Sequence, residues 1–355
     1  MAPSSGSLDL KDTTKEIGLK LRIALASIVL FALSAVAGGC GEKQEDADSE
    51  AEPFVVALDF YVNPDHAGLF TALERGYFSE AGLAVETQVP SDPSAPIRQV
   101  AAGRADLAIS YEPEVVLARD QGLPVKAVAA VVGQPLTSLI SLPQAGIASV
   151  ADLRGKTIAD AGIPYQEDFL DAILSEEGLD LDDVERVSVG LGLLPAVLSG
   201  EADAMLGGFL NIEGVDLAER GRDPRVIPVD ELGIPTYDEL VLVANTDRIA
   251  DDPEPLRLFI AALERGTIAA VDDPEAATEA VLEAGDGLDP KLTRAEVDAT
   301  LPLLLPERES QPFGYMNAEE WEDFAGFFAD RGLISDRPAS SELLTDSLLP
   351  GRLPE

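Results

Sequence analysis

Residues 233–245 read "GIPTYDELVLVAN". A Gly-Pro loop with a Tyr and two acids runs straight into an unbroken apolar strand. Bounded apolar runs of this length are typical of a strand buried on both faces. It arrives late in the chain, after two separate stretches of alternating strands and helices. Its natural place is back in the sheet of the first stretch, and that return decides the fold.

The first stretch opens with the strand "FVVALDF" (54–60) and the helical pattern "HAGLFTALERGYFSEAG" (66–82). It continues as strand "LAVETQVP" (83–90), helix "APIRQVAAGRA" (95–105), strand "DLAIS" (106–110), helix "PEVVLARDQG" (113–122) and strand "VKAVAAVV" (125–132). Such alternation predicts βαβ units and a mainly parallel sheet. Composition turns to Gly, Pro and Ser around 142–152. The pattern then restarts with "LRGKTIADAGIPYQEDFLDAILSEEG" (153–178), "VERVSVG" (184–190), "LPAVLSGEA" (194–202), "DAMLGGF" (203–209) and a helix from Glu213. Beyond residue 252 the chain reads as mostly helical. The predicted architecture is α/β: two discontinuous domains joined by two crossings, a clamshell. Domain 1 takes residues 54–141 and 240–355, and domain 2 takes 142–239. Ligands of such folds bind between the domains, beside the C-terminal ends of the strands.

The 355 residues carry a formal charge of −40, and 46% of them are hydrophobic. That is ample for two cores, and the sign argues against nucleic acid as a partner. One His and one Cys rule out a conventional zinc site. The Cys has another reading. Lys11, Lys15, Lys20 and Arg22 precede the apolar run "IALASIVLFALSAV" (23–36), then "AGG" and Cys40. This is the form of a secretory leader ending at a lipidated cysteine, with residues 1–39 as signal peptide. Residues 40–53, polar and acidic without periodicity, read as a disordered tether. The expected location is extracytoplasmic, anchored to the cell membrane through lipid on Cys40.

Strand-end loops concentrate aromatics beside acids and amides: "DFYVNPDH" (59–66), "SYEPE" (110–114), "GIPYQED" (162–168), "GFLNIE" (208–213) and "TYDE" (236–239). Four of the six tyrosines fall in them. Flat rings stack on flat ligands, and carboxylates accept hydrogen bonds from ring amines. No Arg or Lys lies in these loops, which disfavours an anionic ligand. The expected ligand-binding residues are Asp59, Tyr61, Asn63, His66, Tyr111, Glu112, Phe209, Glu213, Tyr237 and Glu239. Each also has a plain structural alternative as core, cap or hinge. No nucleophile elbow, Walker A loop or metal cluster accompanies them, so neither catalysis nor a cofactor is expected.

Five stretches carry a family resemblance: residues 63–83, 90–132, 146–158, 192–213 and 233–245. They resemble the thiamine-pyrimidine-precursor-binding proteins of ABC importers, within the NMT1-type solute-binding family. The resemblance implies a type II periplasmic-binding fold that closes on its ligand, and a monomer that delivers a 4-amino-2-methylpyrimidine to a permease. It implies that Glu213 pairs with the aminopyrimidine edge and that Tyr61, Tyr111 and Phe209 stack on the ring. Phe60 and Leu210 stand where binding members usually have Trp. The ligand could still be another flat heterocycle, such as riboflavin. Pyrimidine-forming synthases share the same segments. At the positions of their lysine and histidine this chain has Ser110 and Glu114, and "IPTYD" (234–238) replaces their cysteine-rich motif.

Overall fold

The computed structural model describes residues 53–306 and 310–351. The leader, Cys40 and the tether up to residue 52 lie outside the described residues. The strands are β1 (Pro53–Ala57), β2 (Ala84–Gln88), β3 (Leu107–Ser110), β4 (Val125–Val132), β5 (Thr137–Ser141), β6 (Thr157–Asp160), β7 (Glu185–Ser188), β8 (Ala204–Phe209), β9 (Arg225–Pro228) and β10 (Leu240–Asn245). They form two five-stranded sheets, ordered β2-β1-β3-β10-β4 and β7-β6-β8-β5-β9. The chain is therefore a clamshell of two α/β lobes, with the first sheet completed by β10.

Each sheet is mixed rather than uniformly parallel. β10 runs antiparallel to both β3 and β4, and β5 runs antiparallel to both β8 and β9. These are the two strands entered directly from the other lobe. A parallel neighbour needs a crossover helix within its own lobe, and a strand arriving from outside is free of that requirement. Both insert between strands of their new sheet, so each lobe is locked by a strand the other supplies.

The first crossing comes earlier than the sequence suggested. It occupies residues 133–136, and Thr137–Ser141 already pairs in the second sheet. Residues 54–141 are therefore not all in the first lobe. The reason is physical: β4 and β5 are both buried strands with only four residues between them. The Gly-Pro-Ser-rich stretch that looked like the boundary is a loop within the second lobe.

Cores form where the periodicity put them. Phe54, Phe78 and Phe259 stack in the first lobe. The helices Ala67–Glu74 and Glu254–Asp272 touch backbone to backbone, because a Cβ on Gly266 would lie 2.3 Å from the Gly68 carbonyl oxygen. β4, at the sheet edge, is covered by the C-terminal chain: Ala130 N–H donates to Gly314 O and Thr345 N–H to Ala127 O, both at 2.9 Å. An exposed apolar edge would otherwise invite another strand.

The hinge carries buried acids. Glu239 is fully buried and accepts from Leu136 N–H and Thr137 N–H at 2.7 Å, from Thr137 Oγ1 at 2.8 Å and from Tyr237 Oη at 2.9 Å. It stands on the return crossing and clasps the outgoing one. Beside it, Glu112 accepts the Asp238 N–H at 2.7 Å, and Trp321 Nε1 donates to Asp238 Oδ2 at 2.7 Å.

Candidate functional site

The loop after β1 is built from its own side chains. Asn63 Oδ1 accepts the Asp65 N–H at 2.9 Å, capping the turn Pro64–His66, and Asn63 Nδ2 donates to the Tyr61 carbonyl at 3.1 Å. An Asn cap followed by Pro is a favoured start for a helical turn. His66 Nδ1 accepts the Asn63 N–H at 3.3 Å, which leaves the ring proton on Nε2. That nitrogen donates to Asp59 Oδ1 at 2.8 Å, and Tyr111 Oη donates to Asp59 Oδ2 at 2.9 Å. Asp59 is thereby fixed at the end of its strand.

A cavity of about 380 Å³, counting its mouth, lies between the lobes. That is small for a ligand pocket. Asp59, Phe60, Tyr61, Asn63 and Tyr111 line it from the first lobe. Tyr165, Gln166, Gly207, Phe209, Ile212 and Glu213 are among the residues that line it from the second. Rings sit on both sides: Phe60 packs on Tyr61 at 4.7 Å between centroids, and Tyr111 meets Tyr165 across the lobes at 5.7 Å. No Lys or Arg is among the lining residues.

Glu213 opens the helix Glu213–Glu219 and turns back on β8, where its Oε2 accepts the Phe209 N–H at 2.8 Å. Its Oε1 accepts from Tyr61 Oη, in the other lobe, at 3.3 Å. Burial pushes this carboxyl up, and the Phe209 N–H and Tyr61 hydroxyl partly offset the push. Burial likewise raises the Tyr61 hydroxyl, helped by the charge of Glu213. A buried carboxyl of this kind offers acceptor oxygens in its charged form and a donor as well when protonated.

The expected residues divide cleanly by position. Asp59, Tyr61, Asn63, Tyr111, Phe209 and Glu213 line the cavity. His66, Glu112, Tyr237 and Glu239 do not. His66 orients Asp59 from beneath, and the other three belong to the hinge. Eight of the ten end or follow β1, β3 or β8, whereas Tyr237 and Glu239 lie just before β10; a loop beside a strand serves either cleft or crossing, and residue type does not separate the two. The sequence reading left Tyr165 and Gln166 out of the expected ligand-binding residues. A signal existed for Gln166: Pro164 opens its helix and Gln stands three residues after the cap position, the spacing of a capping box. Ser110 and Glu114 are bonded to each other, Oγ to Oε2 at 2.7 Å, and neither lines the cavity.

A further set of acids gathers where the helix Pro290–Thr300 packs against both the turn Pro64–His66 and the helix Glu213–Glu219. Asn211 Nδ2 donates to Asp65 Oδ1 at 2.7 Å and to Thr300 Oγ1 at 2.8 Å, tying the second lobe to the first. Burial raises Asp65 to about 7, against the Asn211 hydrogen bond and the pull of His66. Burial, and then the charges of Asp216, Glu213 and Asp65, raise Glu296 to about 8, with Arg220 opposing. Both groups bind protons more tightly in the folded chain than in the unfolded one. Their contribution is therefore present at low pH and lost as pH rises from about 4 towards 7–8. Urea unfolding should show greater stability at pH 5 than at pH 8. Asp65→Asn should shrink that difference by on the order of 2 kcal/mol. An unchanged difference would place the pH dependence elsewhere.

The fold is the two-lobed clamshell of the periplasmic binding proteins. The alkanesulfonate-binding protein SsuA of Xanthomonas axonopodis pv. citri superposes with a TM-score of 0.64 at 18% identity, over 83% of this chain and 99% of that one. SsuA of Escherichia coli gives 0.62 at 15% identity, over 84% and 98%. At such identities the likeness shows the fold alone. A family model described as NMT1/THI5 like matches residues 63–277, and the chain belongs to that family. It is 36% identical to a formylaminopyrimidine-binding protein of Halalkalibacterium halodurans over 85% of this chain and 90% of the relative. It is 29% identical to a 4-amino-5-hydroxymethyl-2-methylpyrimidine phosphate synthase of Aspergillus parasiticus over 62% of this chain and 67% of the relative. The chain's relatives thus include a named binder and a named synthase, and the likeness to the binder is higher and more extensive.

Proposed function

We propose that this chain is a lipid-anchored, extracytoplasmic solute-binding protein that captures a thiamine-related aminopyrimidine, formylated or hydroxymethylated, and delivers it to an ABC permease. The observation that carries the reading is Glu213, a buried carboxyl at one end of a small aromatic-sided cavity without Lys or Arg. An aminopyrimidine edge presents an amino donor beside a ring-nitrogen acceptor. A protonated carboxyl matches both at once, and a carboxylate matches the donor. The aromatic rings supply stacking faces. The 36% identity to a formylaminopyrimidine-binding relative supports the same ligand class. Chemistry on the ligand is not part of the proposal: the residues at the synthase lysine and histidine positions, Ser110 and Glu114, are bonded together away from the cavity.

Calorimetry of the purified protein against formylaminopyrimidine, hydroxymethylpyrimidine, thiamine and riboflavin tests this reading. Saturable binding of an aminopyrimidine, with thiamine weaker, is the expected result. Binding of riboflavin alone, or of none, overturns the ligand assignment. Anchoring is tested separately. Cys40→Ser should move the protein from the membrane fraction to the soluble one, because the acyl chains supply the membrane affinity. Retention in the membrane would reject the lipid anchor.

A further inference from the structure

Gln166 is almost fully buried in the cavity wall, on the first turn of the helix Pro164–Glu176. Its Oε1 accepts the Ala161 N–H at 2.9 Å and the Ile163 N–H at 3.4 Å. Those two donors fix which way the amide faces, since the reverse orientation would set its NH₂ against two N–H groups. Its Nε2 is thereby turned over Gly207, and no hydrogen bond from it is found among the described residues. Gly207 makes the approach possible. A Cβ there would lie 2.2 Å from Nε2 and 3.1 Å from Cδ, and the Gly207 φ of +108° disfavours any other residue. The result is a donor at the cavity wall, on a nearly buried side chain, with its acceptor oxygen held back and its hydrogens free at the cavity.

Two residues further along β8, the Phe209 N–H holds Glu213. That separation is roughly 7 Å along a strand. A six-membered ring bonded at opposite ends spans a similar length. We infer that Gln166 is a specificity-determining residue, donating through Nε2 to the ring nitrogen remote from the amino group while Glu213 takes the amino-bearing edge. The inference rests on the proposed aminopyrimidine ligand. It adds a requirement to that reading: the ligand needs an acceptor on the ring side opposite its amino group. A buried donor left without an acceptor is penalised more than a missing apolar contact, so the site rejects rings that lack that nitrogen.

The test pairs two probes with three proteins in calorimetry. The probes are hydroxymethyl aminopyrimidine and its analogue with the remote ring nitrogen replaced by C–H. Wild type should bind the analogue about tenfold or more weakly. Gln166→Glu keeps an oxygen for Ala161 and Ile163 and, measured at alkaline pH where the carboxyl is ionised, loses the donor; it should weaken the natural probe by a similar factor and no longer discriminate between the two. Gly207→Ala, which displaces the amide, should do the same. Failure of wild type to bind either probe would count against the ligand reading itself. Equal binding of both probes by wild type, or a Gln166→Glu variant that still discriminates, would overturn the role of Gln166 alone.

Discussion

Glu213→Ala should weaken aminopyrimidine binding about 100-fold, the loss expected when a hydrogen-bonded carboxyl is removed from a closed site. Three consequences combine. The ligand amino group loses its acceptor, the Phe209 N–H loses the partner it has at 2.8 Å, and the Tyr61 hydroxyl loses its bond across the lobes. The last two weaken the closed form even before ligand arrives. Glu213→Gln should fall between, because its carbonyl oxygen can still take the Phe209 N–H. Circular dichroism should show both variants folded, since Glu213 stands on the cleft and contributes little to either core. Unchanged calorimetric affinity in Glu213→Ala would remove it from the site.

Glu239→Ala should cost stability rather than ligand contact. The carboxylate gathers four donors from the two crossings, and alanine leaves all four buried without an acceptor. Burial raises this carboxyl, and its hydrogen bonds to Thr137, Leu136 and Tyr237 pull it down again. Each buried donor left without an acceptor typically costs about 1–3 kcal/mol, partly offset because the desolvation of the lost charge is recovered. Urea unfolding should report a loss of that order. Glu239→Gln should lose less, with one amide hydrogen facing a donor. A change below about 1 kcal/mol would show that the crossings are held by packing, for instance by the Phe169, Tyr237 and Phe324 rings that meet there at 5.3–6.2 Å.

Particular residues show how far local reading reaches. The strands "VKAVAAVV" and "LVLVA" are near-continuous and continuous apolar runs between turn residues, and each is a buried strand, β4 and β10. "NPDH" read as a polar turn and is one, closed by the Asn63 cap. Glu213 stood out as an acid directly after an aromatic strand end and does face the cavity. Tyr237 and Glu239 likewise set an aromatic and an acid beside a strand, but they precede β10 and close the hinge. The difference lies in Leu136 and Thr137, about a hundred positions away, whose N–H groups capture Glu239. Gln166 carried only a capping signal. Its second role needs Gly207 beneath it, and that proximity is a product of the second sheet.

Sequence by itself determined the alternation of strands and helices, the return of the chain through "LVLVAN" and the stock of aromatics and acids at strand ends. Those follow from periodicity, turn chemistry and composition, which act over a few residues. Tertiary structure alone decided which strand ends meet across the cleft and which clasp the hinge, and that β5 belongs to the second lobe. It also decided that His66 serves Asp59 rather than the cavity. Those outcomes depend on hydrogen-bond partners and packing surfaces supplied by distant segments, and a side chain's role is set by the partner that reaches it.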